Sequence, residues 1–437
     1  MPRAINPDSS AFARAKANCL LLAILGGALL PALASAQTAY TWRQIKERFA
    51  AENPTLKAAQ LNIDESRAAE ITAYLRPNPG FGLSADGTQI SRANGHWQPF
   101  VGTQYGPSFS YLHERQNKRE LRRDQARQST TVAESTYLEQ ERNLAFNLRN
   151  AFVQVLQAKA VLQNALENLA YWDHELDVHR TRFKAGDLAQ LDLNRLELQR
   201  VQFESDYETA VVNVRTNKIQ LQMLLNDRTP LERFDVTGQF DFAEELRPLE
   251  EYRNIALESR PDLKAAVQNV ELAKITHKLA IANGSTDPTY NIWWTHNPSF
   301  NNLPFNDNTI GASIDIPLRI FDRNQGEKAR TQIDISRNER LRDASEKQVF
   351  SDVDTAYYTI VQNLNLLKPY KSKYLALATD VRDRMSFSYQ NGGASLLDYL
   401  ETEKSYRDTR LAYVNLIGSY LTAAAQMSMA VGREVLQ

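Results

Sequence analysis

The chain has 437 residues, room for two or three ordinary domains or for one very elongated one. Charged residues make up 24% and nearly balance, 51 basic against 52 acidic, without the basic excess of a nucleic-acid binder. Mean hydropathy is −0.48, and only Cys19–Ala36 is continuously apolar, which excludes a multi-helix membrane transporter.

Residues 1–36 read as a signal peptide. Arg3, Arg14 and Lys16 precede the apolar run Leu20–Leu30, and Pro31 and the small-residue site Ala34-Ser35-Ala36 follow it. Pro31 cuts the run short of the ~20 residues a membrane anchor needs. Cys19, the single cysteine, precedes the apolar core, so a lipoprotein cleavage site is not expected. Cutting after Ala36 leaves an exported chain with a net charge of −3 and no cysteine, hence no disulfide framework, zinc cluster or catalytic thiol.

The remainder reads as a duplication. Asn53-Pro54-Thr55-Leu56-Lys57-Ala58-Ala59 recurs as Arg260-Pro261-Asp262-Leu263-Lys264-Ala265-Ala266. Gln116-Asn117 recurs as Gln325-Gly326, Ala151-Phe152 as Ala356-Tyr357, Gly186 with Leu191-Asp192 as Gly392 with Leu397-Asp398, and Asn226 as Gly432. All five matches fall in order at offsets of 205 to 209. The first repeat covers 37–230, a connecting segment 231–260, and the second repeat 261–437.

Glycine and proline partition each repeat. Seventeen of the 28 in the exported chain lie in two windows, 77–107 and 284–326. Between Ser108 and Ala185 neither residue occurs over 78 positions, and Asp187–Thr229 lacks both over 43. Glu327–Asn391 contains only Pro369. Such spans predict long helices, and 78 helical residues would run for more than ~100 Å. The series Leu144, Leu148, Phe152, Val155, Ala158, Leu162, Leu166, Leu169 has coiled-coil spacing. The return series Tyr207, Val211, Val214, Leu221, Leu225 has Lys218 as its one miss. Two helical hairpins follow, about 114–228 with its tip at Gly186 and about 324–432 with its tip at Gly392.

The Gly/Pro windows alternate instead. Trp97, Pro99, Val101, Thr103, Tyr105, Pro107, Phe109 and Tyr111 oppose Gln98, Gly102, Gln104, Gly106, Ser108 and Ser110. Ile310, Ala312, Ile314, Ile316, Leu318 and Ile320 oppose Thr309, Gly311, Ser313, Asp315, Pro317 and Arg319. Phe81, Leu83 and Ala85, and likewise Tyr290, Ile292 and Trp294, continue the pattern. These predict four strands of about ten residues in two hairpins, about 80–112 and about 287–321. With only rod-like helices beside them, their apolar faces suit a membrane β-barrel, and Trp97, Trp293 and Trp294 suit an aromatic girdle at its rim. Four strands cannot close a barrel, and lipid does not tolerate an open edge. Three chains would supply twelve strands and two chains eight.

A signal peptide, two like halves, and a strand hairpin plus a long helical hairpin in each half: the chain resembles the TolC family of outer-membrane efflux proteins. The resemblance covers nearly all of the exported chain. It is carried by the Asn53-Pro54 and Arg260-Pro261 repeats and by the strand exits Arg115-Gln116-Asn117-Lys118 and Ile316–Gly326. The tips Arg182-Phe183-Lys184-Ala185-Gly186 and Tyr389-Gln390-Asn391-Gly392 carry it too, each with an aspartate six residues after its glycine. The two dipeptide repeats look most like the cation-efflux branch. The resemblance implies a mainly α homotrimer with a twelve-stranded outer-membrane barrel and a periplasmic tunnel of twelve antiparallel coiled-coil helices. It implies docking onto a periplasmic adaptor (membrane fusion) protein and an inner-membrane pump of RND or ABC type. The function it implies is that of a passive exit duct for efflux or type I secretion.

No catalytic motif occurs: there is no phosphate loop, G-x-S-x-G or H-E-x-x-H, and the six histidines are scattered. The chain reads as a non-enzyme without cofactor, metal site or nucleic-acid partner. His174 and His179, five apart, miss a common helical face. Gly186, Gly392 and the adjoining Gly393 suit the sharp turns at the hairpin tips. Lys184, Asp187, Gly186, Gly392 and Gly393 are the expected adaptor contacts. Asp192 and Asp398 sit where acids favour a helix N-terminus, and in a trimer each would form a carboxylate ring that prefers cations. By position in the family motif, Tyr389, Asp398 and Glu401 match residues that link or line the closed aperture. Ala394 stands where the family motif has a basic residue, leaving Lys184 and Asp187 to supply other links. The competing reading, a periplasmic adaptor-type coiled-coil scaffold, requires one hairpin and a compact β domain in place of two hairpins and amphipathic strands.

Overall fold

The computed structural model describes residues 38–92, 95–100, 102–297 and 308–436; the expected leader, 1–36, lies outside the described residues. After β1 (Thr38–Tyr40), α1 (Trp42–Glu52) and α2 (Pro54–Ala73) lead into a strand pair, β2 (Gly80–Asp86) and β3 (Gln104–Leu112). The first helical hairpin is α3 (Lys118–Ala185) and α4 (Gln190–Leu224). Next come β4 (Phe234–Val236), α5 (Leu249–Ser259) and α6 (Pro261–Asn283), then β5 (Thr289–His296) and β6 (Asn308–Asp315). The second hairpin descends through α7 (Gln325–Pro369), a wide π-helical turn (Tyr370–Tyr374) and α8 (Leu375–Gln390), and returns as α9 (Leu396–Val431). The architecture that the competing adaptor reading requires, one hairpin on a compact β domain, is not what forms.

Helix α3 is 68 residues long, about 100 Å. No breaker interrupts it until Gly186 takes φ 86. Its upper part binds α2, through the Thr130 hydroxyl donating to Glu70 Oε1 at 2.5 Å, and α6, through Gln125 Nε2 to Thr276 Oγ1 at 2.9 Å. Its lower part binds α4 and α9, with Arg200 Nε on Asp173 at 2.6 Å and Arg410 Nη2 on Glu167 at 2.9 Å. Pro369 has no N–H for the helix ladder, and the turn that follows it is the π-helical one. The series expected to face the core is buried at Leu148, Phe152, Val155 and Ala158, whereas Leu166 is exposed.

Lys218 is a correction of substance. It is buried within the apolar series, its Nζ donating to Phe234 O at 2.9 Å and pairing with Asp235 Oδ1 at 3.0 Å. Lys159 reaches the other Asp235 oxygen at 2.8 Å. Burial works to raise the Asp235 carboxyl, but the two lysines hold it below its ordinary range. The pairing ties β4, in the segment joining the two hairpins, to α3 and α4. There β4 runs parallel to β1, over a core that includes Ile45, Phe49, Leu148, Leu221 and Phe234.

The four longer strands form one antiparallel sheet in the order β2-β3-β5-β6. Its register sets Phe81 against Phe109, Phe109 against Ile292, and Ile292 against Ala312. The expected apolar phase therefore holds across all four strands, and the other face carries Ser108, Asn291 and Ser313. Phe81, Leu83, Phe109, Ile292, Ile310 and Ile314 are exposed. The strands are shorter than the ten residues expected, at seven, nine, eight and eight. Trp97 lies outside β3, since Gly102 takes φ 89 and Thr103 N closes a turn on Phe100 O at 3.3 Å. Ile316, Leu318 and Ile320 lie beyond β6, where Pro317 has no N–H to extend the ladder. Trp293 departs from the girdle assignment: it stands on the polar face over Gly311, where a Cβ would come within 2.3 Å of its ring. One chain does not close the sheet; β2 and β6 are its edges.

Candidate functional site: the hairpin tips

Both tips are built by the same backbone device. At the first, Asp187 N donates to Arg182 O at 2.9 Å and Gly186 N to Phe183 O at 3.0 Å, with Gly186 left-handed. At the second, Gly393 N donates to Ser388 O at 2.8 Å and Gly392 N to Tyr389 O at 3.1 Å, with Gly392 at φ 75. This double closure satisfies the last carbonyls of α3 and α8 and needs a residue that tolerates positive φ. Gly186, Gly392, Gly393, Lys184 and Asp187 are all exposed. Lys184 and Arg182 lie in the last turn of α3, where a cation meets the negative end of the helix dipole.

The four residues assigned to the aperture occupy different settings. Asp192, in the first turn of α4, is partly exposed and lies 3.6 Å from Arg195 on its own helix. Asp398 is exposed and completes a cap: Ser395 Oγ accepts from Asp398 N at 3.2 Å and donates to Asp398 Oδ2 at 2.7 Å. Glu401 is exposed and lines a groove of about 460 Å³ with Tyr370, Tyr374 and Tyr406. Tyr389 instead lies inside the chain, only 8% exposed, its ring stacked on Tyr399 at 4.9 Å and on His179 at 5.5 Å. Burial raises its hydroxyl pKa, the Arg182 guanidinium opposes this, and the Asp192 carboxylate adds to it. Tyr389 and Asp192, from different hairpins, are therefore brought within electrostatic reach, while Asp398 and Glu401 stay on the exposed side of α9. Ala394, the departure from the family, packs against the apolar cluster joining the two tips.

Sequence reasoning missed what that cluster contains. Trp172, Leu176, Leu193, Leu196 and Phe203 of the first hairpin meet Tyr389, Leu396 and Tyr399 of the second. Among them lie His179, Glu175 and Glu403, all buried. His179 Nδ1 is 2.7 Å from Glu175 O; a carbonyl there requires the proton on Nδ1, and the buried Nε2 has no partner. The Tyr399 hydroxyl donates to Glu175 Oε2 at 3.4 Å and the Tyr171 hydroxyl to Glu403 Oε1 at 3.3 Å. Burial pushes the Glu403 carboxyl up to about 7, against Arg382 and the Tyr171 hydrogen bond and with help from Glu175 and Asp383. Burial also pushes the Tyr171 hydroxyl up to about 12. The signal was present in the spacing of 172, 176 and 179 and of 396, 399 and 403. Pairing His179 with His174 concealed it.

No group of three or more His, Cys, Asp or Glu able to hold a metal occurs among the described residues, and no helix among them is long and apolar enough to cross a membrane. A sheet with one exposed apolar face, set above two helical hairpins whose descending limbs run about 100 Å, defines an outer-membrane channel that continues as a helical duct. The chain belongs to the outer membrane efflux protein family, whose profile matches residues 47–227 and again 253–433. It is 21% identical to the cobalt-zinc-cadmium resistance protein CzcC of Cupriavidus metallidurans over 88% of both chains. It is 22% identical to the outer membrane protein TolC of Salmonella enteritidis, covering 94% of this chain and 86% of that one. The fold matches a crystal structure of CusC with a TM-score of 0.76 at 18% identity, covering 90% of this chain and 92% of that one. The open state of the Neisseria gonorrhoeae MtrE channel matches with a TM-score of 0.71 at 16% identity, covering 90% and 89%. The protein is an outer-membrane efflux channel, reaching into the periplasm and serving as the exit duct of an efflux system.

Proposed function

We propose that three copies of this chain, each a tandem duplication, assemble into a twelve-stranded barrel over a tunnel of twelve helices. One observation carries the reading: each chain leaves apolar stripes on two opposite edges. Within a chain the lower helices neighbour one another in the order α4, α3, α9, then α7 with α8. The outward edge of α4 exposes Leu191, Leu198, Val201, Val212, Ile219 and Met223. The opposite edge exposes Ile333, Leu341, Tyr358, Leu377, Val381 and Phe387. Stripes of that length require a partner helix, and β2 and β6 require partner strands. A ring that sets one edge against the other satisfies both, and three chains give twelve strands, enough for an open lumen that the eight strands of two chains would fill with side chains. The duplication is supported by the two profile matches and by the junctions before α2 and α6. Asn53 and Arg260 there adopt φ −64, ψ 120 and φ −66, ψ 121, each followed by a proline at the helix start.

In this assembly the tips face a periplasmic adaptor and an inner-membrane pump, with Lys184, Gly186, Asp187, Gly392 and Gly393 as the contact surface. Asp192, Asp398 and Glu401 ring the narrow end, and Tyr389 sits behind them. The cargo is a divalent metal cation, a reading supported by the similarity to CzcC and by the carboxylates at the tips. Zinc and cobalt efflux from cells with and without the chain tests it. Slower efflux of both metals in the deletion strain, restored by the wild-type chain, is expected. Unchanged efflux would remove the cation assignment and leave the duct.

A further inference from the structure

The exit from β3 into α3 borders a cavity of about 640 Å³ that passage through the duct does not use. Arg76, Arg115 and Arg119 line it. Of the two carboxylates that also line it, Glu114 is taken by Arg122, whose Nη2 donates to Glu114 Oε2 at 2.8 Å. Glu120 accepts from Arg119 Nη2 at 3.1 Å. Arg76 and Arg115 have no ion-pair partner among the described residues. The loop is held in place by Arg115 N, which donates to Asp287 Oδ1 at 2.9 Å.

The sheet register says where this cavity opens. Tyr111 pairs with Tyr290 on the apolar face, and the ladder continues with His113 N donating to Pro288 O at 2.9 Å. His113, two residues after Tyr111, stays on that face, and both residues line the cavity. The cavity thus lies at the periplasmic rim of the lipid-facing surface, where hydrocarbon gives way to headgroups. Guanidinium forks match phosphate oxygens in geometry and charge, and tyrosine is at home at that depth.

We propose that this cavity binds the phosphate of a phospholipid in the periplasm-facing leaflet. Arg76 and Arg115 hold the phosphate, and the acyl chains run up the apolar face past Tyr111 and Phe109. The proposal rests on the reading of β2, β3, β5 and β6 as membrane strands. Free inorganic phosphate offers the same oxygens without the chains, so the two sources are separable.

The test is native mass spectrometry of the delipidated, detergent-extracted full-length protein titrated with dioleoyl phosphatidylglycerol and, separately, with inorganic phosphate. The expected result is saturable retention of one lipid per chain at lipid concentrations where inorganic phosphate gives no adduct. The Arg76→Gln/Arg115→Gln double variant should bind the lipid roughly thirtyfold more weakly, each arginine being worth about a factor of five at a membrane surface. The exposed Arg323→Gln variant serves as a charge control and should bind as wild type. The oligomer peak in each spectrum reports assembly, so failure of the barrel reading shows in the wild type before any lipid is added. Arg115→Lys, which keeps the charge and loses the fork, should fall between wild type and the double variant. Equal lipid binding by wild type and double variant, or phosphate binding as tight as lipid binding, would overturn the proposal.

Discussion

Glu403 makes the stability of the tips depend on pH. Its carboxyl is buried between the hairpins, and its folded-state pKa is raised from 4.5 to about 7, chiefly by burial. A raised folded-state value means that the neutral acid fits the site. Its stabilisation is therefore complete below 4.5 and is lost as pH rises through about 7. Between pH 5 and pH 8 the two values imply a loss of about 2.5 kcal/mol per chain, or roughly seventyfold in local opening. Hydrogen exchange of the amides in residues 171–182 and 385–403, corrected for the intrinsic pH dependence of exchange, reads this directly. Protection there should fall with rising pH, while the amides around Ile45 and Leu148 should show no such fall. Glu403→Gln keeps an acceptor for the Tyr171 hydroxyl and removes the carboxyl's titration, so the fall in tip protection assigned to Glu403 should be absent. Wild-type tip protection that is equal at both pH values, or a Glu403→Gln variant with the wild-type slope, would refute the reasoning.

Three further predictions concern the barrel and the aperture. Ile292→Arg puts a charge on the lipid face at mid-strand and should cost roughly 2–4 kcal/mol near the midplane, whereas Ser313→Arg on the opposite face should be tolerated; urea titration of refolding into vesicles compares them, and equal costs would contradict the assigned facing. Gly311→Val drives a side chain into the Trp293 ring and should abolish heat-resistant oligomers on gels, while adding Trp293→Ala should restore them; a single variant that assembles normally would show that the close approach carries no constraint. Asp398→Asn with Glu401→Gln should lower cation selectivity in planar bilayers if these carboxylates ring the pore, and wild-type reversal potentials in the double variant would leave Asp398 as a helix cap alone.

The helical rods were legible because their physical signature is an absence. Nothing between Lys118 and Ala185 can break a helix, and Gly186 and Gly392 stop the chain where a left-handed residue is required. Strand facing was legible because a period of two fixes every side chain once one is fixed. Strand ends were not, because alternation continues past Asp315 although Pro317 cannot bond to a neighbour. Lys218 looked like a fault in an apolar stripe because its partner, Asp235, lies in a connecting segment without periodicity. At the tips, the turn residues could be found from spacing alone. The inward placement of Tyr389 and the burial of His179 and Glu403 could not, because they depend on how two hairpins, separated by some 200 residues of sequence, pack their aromatic rings.

Assembly is the claim on which the rest stands, since one chain exposes two apolar edges and an open sheet. Sedimentation equilibrium of the detergent-extracted protein, with the detergent density-matched, weighs the particle directly. A single species of three chains, folded and rich in helix, is the expected result. A folded, monodisperse monomer, or a dimer, would contradict it.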